Sequence, residues 1–562
     1  MNDSEIAKDQ LLRQKTREKA VPAAFVTTAI FSILTVFWLA ADRHIPACDE
    51  ANHVLNGLTY ANLLEHIRPW RLSWWHSFFS VNTYYPPIGT LAMGLALASS
   101  SVKDLSALVT LKLTWLCILS LSVALITFKI SRNTIAVIVA IFLVNCCPLT
   151  CELSHSALLD LPLVAMVALG LAALYWKDGG SLPWRSLVTG IIIGLAIMTK
   201  QVAIAFLGFP VLLDTVRTLK ANRNKKGALS LALVLVPILI ICLPWTILNF
   251  GSVQKLNGEI ATDLATRGTA ASRILYNFKY YLGSWIYSAS PLILIVSLCG
   301  IGGLTKAQHK KFASLWLAIL PAACALTMIS CQPARDRYVA PLVILVAVFG
   351  GCSLASLRWK HKIAFAIIAL VGLPLIALQY LSYNFCPYPI DQPSLTGLTS
   401  LLGCTSREHI SPFFDANSVV YNQHSPPVAS GGSIADQILD CVEETDGKLC
   451  SYMNITAFAG GLDVHEMELL AQLKGIGIRP STSRLWTALG DKEEFSQSKA
   501  QYYRWYVIKD GDQGFRFADK ADQIAHNQLL DYVKKHYLLA KTLTGLDGSR
   551  VEVYRSHITF NH

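Results

Sequence analysis

Two carboxylates stand side by side at Asp49 and Glu50, just past the first long apolar run, and two guanidinium groups stand at Arg335 and Arg337, ahead of Tyr338. A free aspartate, with a pKa of about 3.9, is ionised at neutral pH, so it can orient a hydroxyl and accept its proton during attack. Asp49 is the candidate for that role, and its neighbour Glu50 for contact with a bound substrate. Adjacent carboxylates are badly placed to flank one bond from opposite sides, as glycoside hydrolysis requires. A single displacement with inversion fits them better. Guanidinium suits bidentate contact with phosphate, and arginines beside a bilayer are natural partners for a lipid-linked one. Lys200 ends the apolar run 190–198 and is followed at once by another, 202–213. A lysine in mid-membrane costs roughly 2.5–3.5 kcal/mol, so it has a partner or a task, and a lipid-linked phosphate would be such a partner.

Each residue also has a plainer reading. Asp49 can cap the amphipathic helix suggested by Val54, Leu58, Ala61 and Leu64, with Glu50 favourable in its first turn. Lys200 can snorkel to the headgroups from a short outer turn, and Asp336 can neutralise one of the flanking arginines. His53, one turn past Asp49, either lines the same site or lies at the surface, and the surface is favoured. His155 and Asp160 flank Leu158 and Leu159 at a span start, where Asp160 ahead of Pro162 reads as a helix cap in preference to a cavity residue. Tyr84 and Tyr85 precede Pro86 and Pro87 and are weaker cavity candidates. The segment from Trp70 to His76, with Trp74 and Trp75, reads as an interfacial aromatic anchor more than as a sugar platform. No local His, Asp or Glu spacing forms a tight metal site, so no obligatory metal or cofactor is expected.

These residues must be positioned by membrane spans. The 562 residues are 53% hydrophobic and only 15% charged, far from a soluble norm. The net charge of +11 suggests nucleic acid at first sight, yet the basic residues cluster between apolar runs. The positive-inside rule explains that pattern and excludes a nucleic-acid partner. Residues 1–20 are polar and basic and read as a cytoplasmic N-terminus; the run 21–41 is too long for a signal-peptide core and reads as an uncleaved first span. Further runs follow at 105–128, 134–150, 157–176, 186–200, 202–216, 227–249, 284–304, 312–330, 337–357 and 361–381. The apolar stretch 88–100 is short. Reading it as re-entrant or interfacial puts the basic clusters 220–226, 306–311 and 358–362 on the inner side, with Lys129, Arg132, Lys177 and Arg185. That gives about eleven spans and a first outer loop at 42–104. Asp49, Glu50, Asp160, Lys200, Arg335 and Arg337 then all fall at the outer face, as does the C-terminal tail.

After Tyr383 the composition changes. Residues 384–446 read as a linker and loop region, and 447–562 as a small extracytoplasmic α/β domain. Residues 449–453 and 505–508 read as strands, 465–474 and 519–536 as amphipathic helices, and Gly545–Gly548 as the turn of a hairpin. No phosphate loop, metal cluster or catalytic constellation is visible there. Asn454 formally begins a glycosylation acceptor. Fourteen cysteines form no C-x-x-C pair, and Cys386, Cys404, Cys441 and Cys450 could form disulfides if the tail is outside.

The order of Asp49-Glu50 after span one, Pro86-Pro87, Leu159-Asp160-Leu161-Pro162, Thr199-Lys200 and Arg335-Asp336-Arg337-Tyr338 resembles the GT-C glycosyltransferases that use polyprenyl-phosphate sugars. The nearest likeness is to the protein O-mannosyltransferases and bacterial aminoarabinose transferases, the family 39/83-like group, across residues 21–383. The resemblance implies a polytopic α-helical fold and a lipid-linked monosaccharide as donor. It makes the first-loop acidic residue, Asp49 or Glu50, the base, and gives the basic residue before Tyr338, with Arg335 and Lys200, to the donor phosphate. Because a phosphate leaves without protonation, the acceptor hydroxyl or amine, on protein, glycan or lipid, is the partner needing activation. The expectation is therefore an inner- or plasma-membrane glycosyltransferase with its active site outside. Rivals are a ligase using a lipid-diphosphate donor, a lipid-linked-sugar flippase or transporter, and a scaffold or receptor whose outer domain binds a partner. Against the flippase, no internal repeat or paired broken helices are visible.

Overall fold

A computed structural model of the chain describes residues 3–41, 46, 49–100, 105–177, 182–221, 225–266, 291–299, 336–385, 434–448, 451–455, 464–482, 503–510, 520–545 and 549–557, with single positions between 272 and 320. It divides into two compact units. One comprises residues 1–41 and 56–411; the other comprises 42–55 and 412–562.

Every described element of the first unit is helical. Its elements are α1 (Asp3–Ala41), most of α2 (Asp49–Glu65), α3 (Leu72–Ser80), α4 (Pro87–Ser99), α5 (Ala107–Ser131), α6 (Thr134–Cys146), α7 (Pro148–His155), α8 (Asp160–Lys177), α9 (Pro183–Thr199), α10 (Ala203–Ala221) and α11 (Lys225–Thr266). After these come α12 (Pro291–Cys299), a 3-10 turn (Asp336–Val339), α13 (Leu342–Lys360), α14 (Lys362–Ile367), a π turn (Ile368–Gly372) and α15 (Leu373–Phe385). Among the described residues five helices are long and apolar enough to cross a membrane, or six if α6 and α7 are one bent span. The expected spans 284–304 and 312–330 lie mostly outside the described residues.

Helix α8 is apolar on every side, and a helix of that kind belongs in an interior. It is 78% buried over its apolar window, whereas α11, of similar composition, is 17% buried and presents its side chains outward. The α6–α7 span bends by 58° at Cys147, because Pro148 cannot donate to the preceding turn and disfavours a helical Cys147. Close approach of α13 to α6 depends on Gly351, where a Cβ would meet Ala136 O at 2.4 Å. Helix α4 has thirteen residues, about 20 Å, and is shorter than the ~30 Å hydrocarbon core.

The expected aromatic anchor forms α3. Trp70, Leu72 and Trp75 are exposed, while Trp74 stacks on Phe78, and Tyr60 from α2 donates to Phe78 O at 2.9 Å. On α11, Asn249 donates to Phe79 O (3.0 Å) and Trp245 to Asn82 O (3.2 Å), which ties the end of α3 to a long span.

The C-terminal domain is a five-stranded sheet in the order β2-β1-β3-β5-β4, built from β1 (Ser451–Ile455), β2 (Ile478–Thr482), β3 (Trp505–Lys509), β4 (Tyr537–Thr544) and β5 (Arg550–Ser556). Strands β2, β1 and β3 are parallel; β5 runs antiparallel to β3 and β4. Its helices are α16 (Ile434–Asp446), α17 (Val464–Lys474) and α18 (Lys520–His536). One face packs Met453, Trp505 and Val553 with Ile438 of α16 and Met467 of α17. The other packs Tyr506 and Tyr554 with Leu529 and Val533 of α18. The core thus begins by Ile434, in a stretch whose composition had suggested a linker. Asn454 lies on β1 with no exposed surface, so the acceptor sequence is not presented. Cys441 is a buried free thiol; Cys386, Cys404 and Cys450 lie outside the described residues.

Candidate active site

The first residue of α8, Asp160, is 1% exposed, and Lys200, in the short break between α9 and α10, is 5% exposed. Lys200 leaves the helix with φ −159° and ψ 127°, and its Nζ donates to Asp160 Oδ1 at 2.7 Å. Arg337, in the 3-10 turn ahead of α13, brings Nε to 3.9 Å from the other carboxylate oxygen. The ammonium also lies 5.8 Å from the ring centre of Tyr85 and 5.9 Å from that of Tyr338. Two cations from different spans therefore converge on one carboxylate, with two aromatic faces beside them.

The loop before α4 sets Tyr85 in place. Asn82 Oδ1 accepts from the backbone N–H groups of Tyr84 (2.9 Å) and Tyr85 (2.6 Å), an Asx turn. Gln201, next to Lys200, donates to Tyr84 O at 3.0 Å, so the same junction that presents the lysine also holds the tyrosine loop. Pro86 is extended and Pro87 opens α4, where a proline loses no hydrogen bond. Gly89 lets α4 sit against both polar junctions: a Cβ there would meet Leu159 Cδ2 at 2.7 Å and Thr199 O at 3.2 Å.

Chemically the cluster brings two positive groups and two aromatic faces to one buried carboxylate. A lysine has three donors and an arginine five, all on positive groups. Ammonium and guanidinium groups inside a low-dielectric wall act on a phosphate far more strongly than they would in water. Tyrosine faces stabilise the ammonium further. Among the described residues no group of three His, Cys, Asp or Glu could hold a metal ion.

Of the residues singled out by sequence, Lys200, Arg337, Tyr338, Tyr85 and Asp160 come together. Asp160 is an ion-pair partner and not merely a cap, because it faces the lysine in the break between α9 and α10. Lys200 does not snorkel: it is buried against that carboxylate. His155 is engaged elsewhere, with Nε2 at 2.6 Å from Asn384 Oδ1 on α15 and its carbonyl accepting from Lys112 Nζ at 2.8 Å. Asp49, Glu50 and His53 lie in the first two turns of α2, within the segment that groups with the C-terminal domain. Asp49 is exposed, Glu50 is 3% exposed, and His53, expected at the surface, is 4% exposed, since it shares the buried side of α2 with Val54 and Glu50. Arg335 and the side chain of Asp336 lie outside the described residues. Sequence reasoning missed Asn82, Gln201, Trp245 and Gly89. The Asn two residues before Tyr84 carried a readable turn signal; the other three act through contacts distant in the chain.

No protein-family model and no curated protein sequence matches the chain. Solved structures do. ArnT from Cupriavidus metallidurans in the apo state superposes with a TM-score of 0.54 at 13% identity, covering 95% of this chain and 98% of ArnT. The same protein bound to undecaprenyl phosphate gives 0.54 at 12% identity, over 95% and 97%. An oligosaccharyltransferase from Archaeoglobus fulgidus, tethered to an acceptor peptide, gives 0.48 at 13% identity, over 96% and 75%. Over 95% of its length the chain shares the fold of ArnT.

Proposed function

We propose that this protein is an integral-membrane glycosyltransferase that moves a monosaccharide from a polyprenyl-phosphate donor to an extracytoplasmic acceptor. The observation that carries the reading is the convergence of Lys200 and Arg337 on Asp160 beside Tyr85 and Tyr338. Support comes from the GT-C fold and from the undecaprenyl phosphate bound in the ArnT structure.

In this reading the donor's phosphate rests on Lys200 and Arg337, with Arg335 as a further contact, and Asp160 keeps the first two cations converged before the donor arrives. The phosphate leaves the sugar without needing a proton, because the cations stabilise the charge it gains as the anomeric C–O bond breaks. The poorer partner is the acceptor. Asp49 orients its hydroxyl or amine and takes its proton while the new bond to the anomeric carbon forms from the opposite face, inverting the centre. Glu50 and His53 contact acceptor or sugar.

The test is transfer of radiolabel from a panel of polyprenyl-phosphate monosaccharides by the protein in nanodiscs. One donor supports turnover in the wild type. Asp49→Asn lowers kcat by about 10²–10⁴-fold with donor binding retained, as loss of a general base does. Glu50→Gln raises KM more than it lowers kcat. Transfer undiminished in Asp49→Asn removes Asp49 as base; labelled lipid crossing the bilayer without transfer makes the protein a flippase.

A further inference from the structure

The ends of α8 and α10 remote from the cation cluster form a second polar site. The two helices run in the same direction, since Asp160 and Lys200 meet where they begin and Lys177 meets Asp214 where they end. Lys177, the last residue of α8, is 1% exposed, and its Nζ donates to Asp214 Oδ2 at 2.6 Å and to Thr218 Oγ1 at 3.4 Å. Beside this pair lies an open-sided groove with about 80 Å³ of internal space, lined by both helices. Leu171, Leu174, Pro210 and Leu213 form its apolar walls; Asp214 and Arg217 form its polar end.

The charge arrangement selects the occupant. Lys177 neutralises Asp214, so the carboxylate on the wall does not repel an anion. Arg217 is exposed, makes no ion pair among the described residues and lies one helical turn beyond Asp214. From Arg217 back to Pro210 is about 10 Å along the helix axis, with Pro210 and Leu213 lining the groove on the far side of Asp214. A guanidinium at the rim and a greasy slot running into the bilayer match a phosphate headgroup with the first part of an acyl chain. Lys177, Arg185, Arg217, Lys220 and Lys226 crowd this end, which the basic bias assigns to the cytoplasmic side, where anionic lipids concentrate.

We infer that this cavity binds an anionic phospholipid of the cytoplasmic leaflet, its phosphate on Arg217 and one acyl chain between α8 and α10. The inference is independent of the donor site. Occupancy fastens these two helices at the end opposite Asp160 and Lys200.

Native mass spectrometry of the full chain, with phosphatidylglycerol, phosphatidylcholine or undecaprenyl phosphate added, tests it. Phosphatidylglycerol binds the wild type about ten-fold or more tightly than it binds Arg217→Gln, the loss expected for one charge-assisted contact. Leu213→Trp fills the slot without changing charge and weakens binding comparably, and phosphatidylcholine binds the wild type at least about ten-fold more weakly. Unchanged thermal midpoints certify folding of both variants. Equal phosphatidylglycerol binding by the wild type and both variants overturns the site. Equal binding of phosphatidylcholine overturns its charge selectivity, and displacement of phosphatidylglycerol by undecaprenyl phosphate at equal concentration overturns the assignment to a phospholipid.

Discussion

Lys200 and Asp160 tolerate burial because each supplies the other's counter-charge, and this makes the pair sensitive to any change in one member. Removing one partner of a buried ion pair costs about 3–5 kcal/mol, since the other charge stays behind. Asp160→Asn leaves Lys200 and Arg337 facing each other without a carboxylate between them. Its thermal midpoint in nanodiscs falls well below that of the wild type, and added polyprenyl phosphate restores part of the loss by taking the place of the missing charge. A variant as stable as the wild type, or one not rescued by the anion, removes Asp160 as the organiser of the site. A different carboxylate governs the C-terminal domain. Burial alone would raise the pKa of Asp446, but the hydrogen bond and charge of Arg504 and the charge of Arg555 outweigh it and hold the group below the usual carboxylate range. A lowered folded-state pKa adds stability that is complete above the unfolded value, about 3.9, and is lost as pH falls through the folded value. Acidification below about pH 4 therefore lowers the unfolding midpoint of this domain, followed by 5-fluorotryptophan NMR at Trp505. Asp446→Asn lowers the midpoint at pH 7 and flattens the dependence; an unchanged acid slope contradicts the assignment.

At the scale of elements, the site depends on three helix ends meeting: the start of α8, the α9–α10 break and the start of α4. Gly89 is the contact point. Gly89→Val drives a branched side chain into Leu159 and Thr199, next to both members of the ion pair, and overpacking of that kind costs about 1–3 kcal/mol. A lowered thermal midpoint together with a raised donor KM is the expected pair of effects; a fall in stability with KM unchanged would separate α4 from the site. Much of this level was legible from residue order. Val54, Leu58 and Ala61 at helical spacing marked α2, and Gly545 and Gly548 between two strand-like runs marked the antiparallel pair β4 and β5. Strand β2 was not legible, since it is five residues long and contains Pro480, which argues against a strand until its place at the sheet edge is known. Helix α16 was hidden by the Pro, Gly and Ser-rich stretch that precedes it. Asp160 read as a cap because local sequence offers it a helix N-terminus, whereas its ion-pair partner is forty residues away.

For the whole molecule, a multi-helix membrane fold shared with ArnT, together with a small α/β domain, explains why the chemistry-bearing residues are scattered through the chain. Spans bring Lys200, Asp160 and Arg337 together across nearly two hundred residues, and only their junctions, where helix ends leave unsatisfied polar groups, are suited to hold a charged ligand. In the proposed reaction these cations seat a lipid-linked phosphate. The most direct test is the affinity of undecaprenyl phosphate for the wild type, Lys200→Gln and Arg337→Gln in nanodiscs lacking anionic lipid. Each substitution is predicted to weaken binding by about ten-fold or more, the value of one charge-assisted contact, with Arg337→Lys only partly restoring it because the bidentate geometry is lost. Equal affinity in all four proteins would contradict the account.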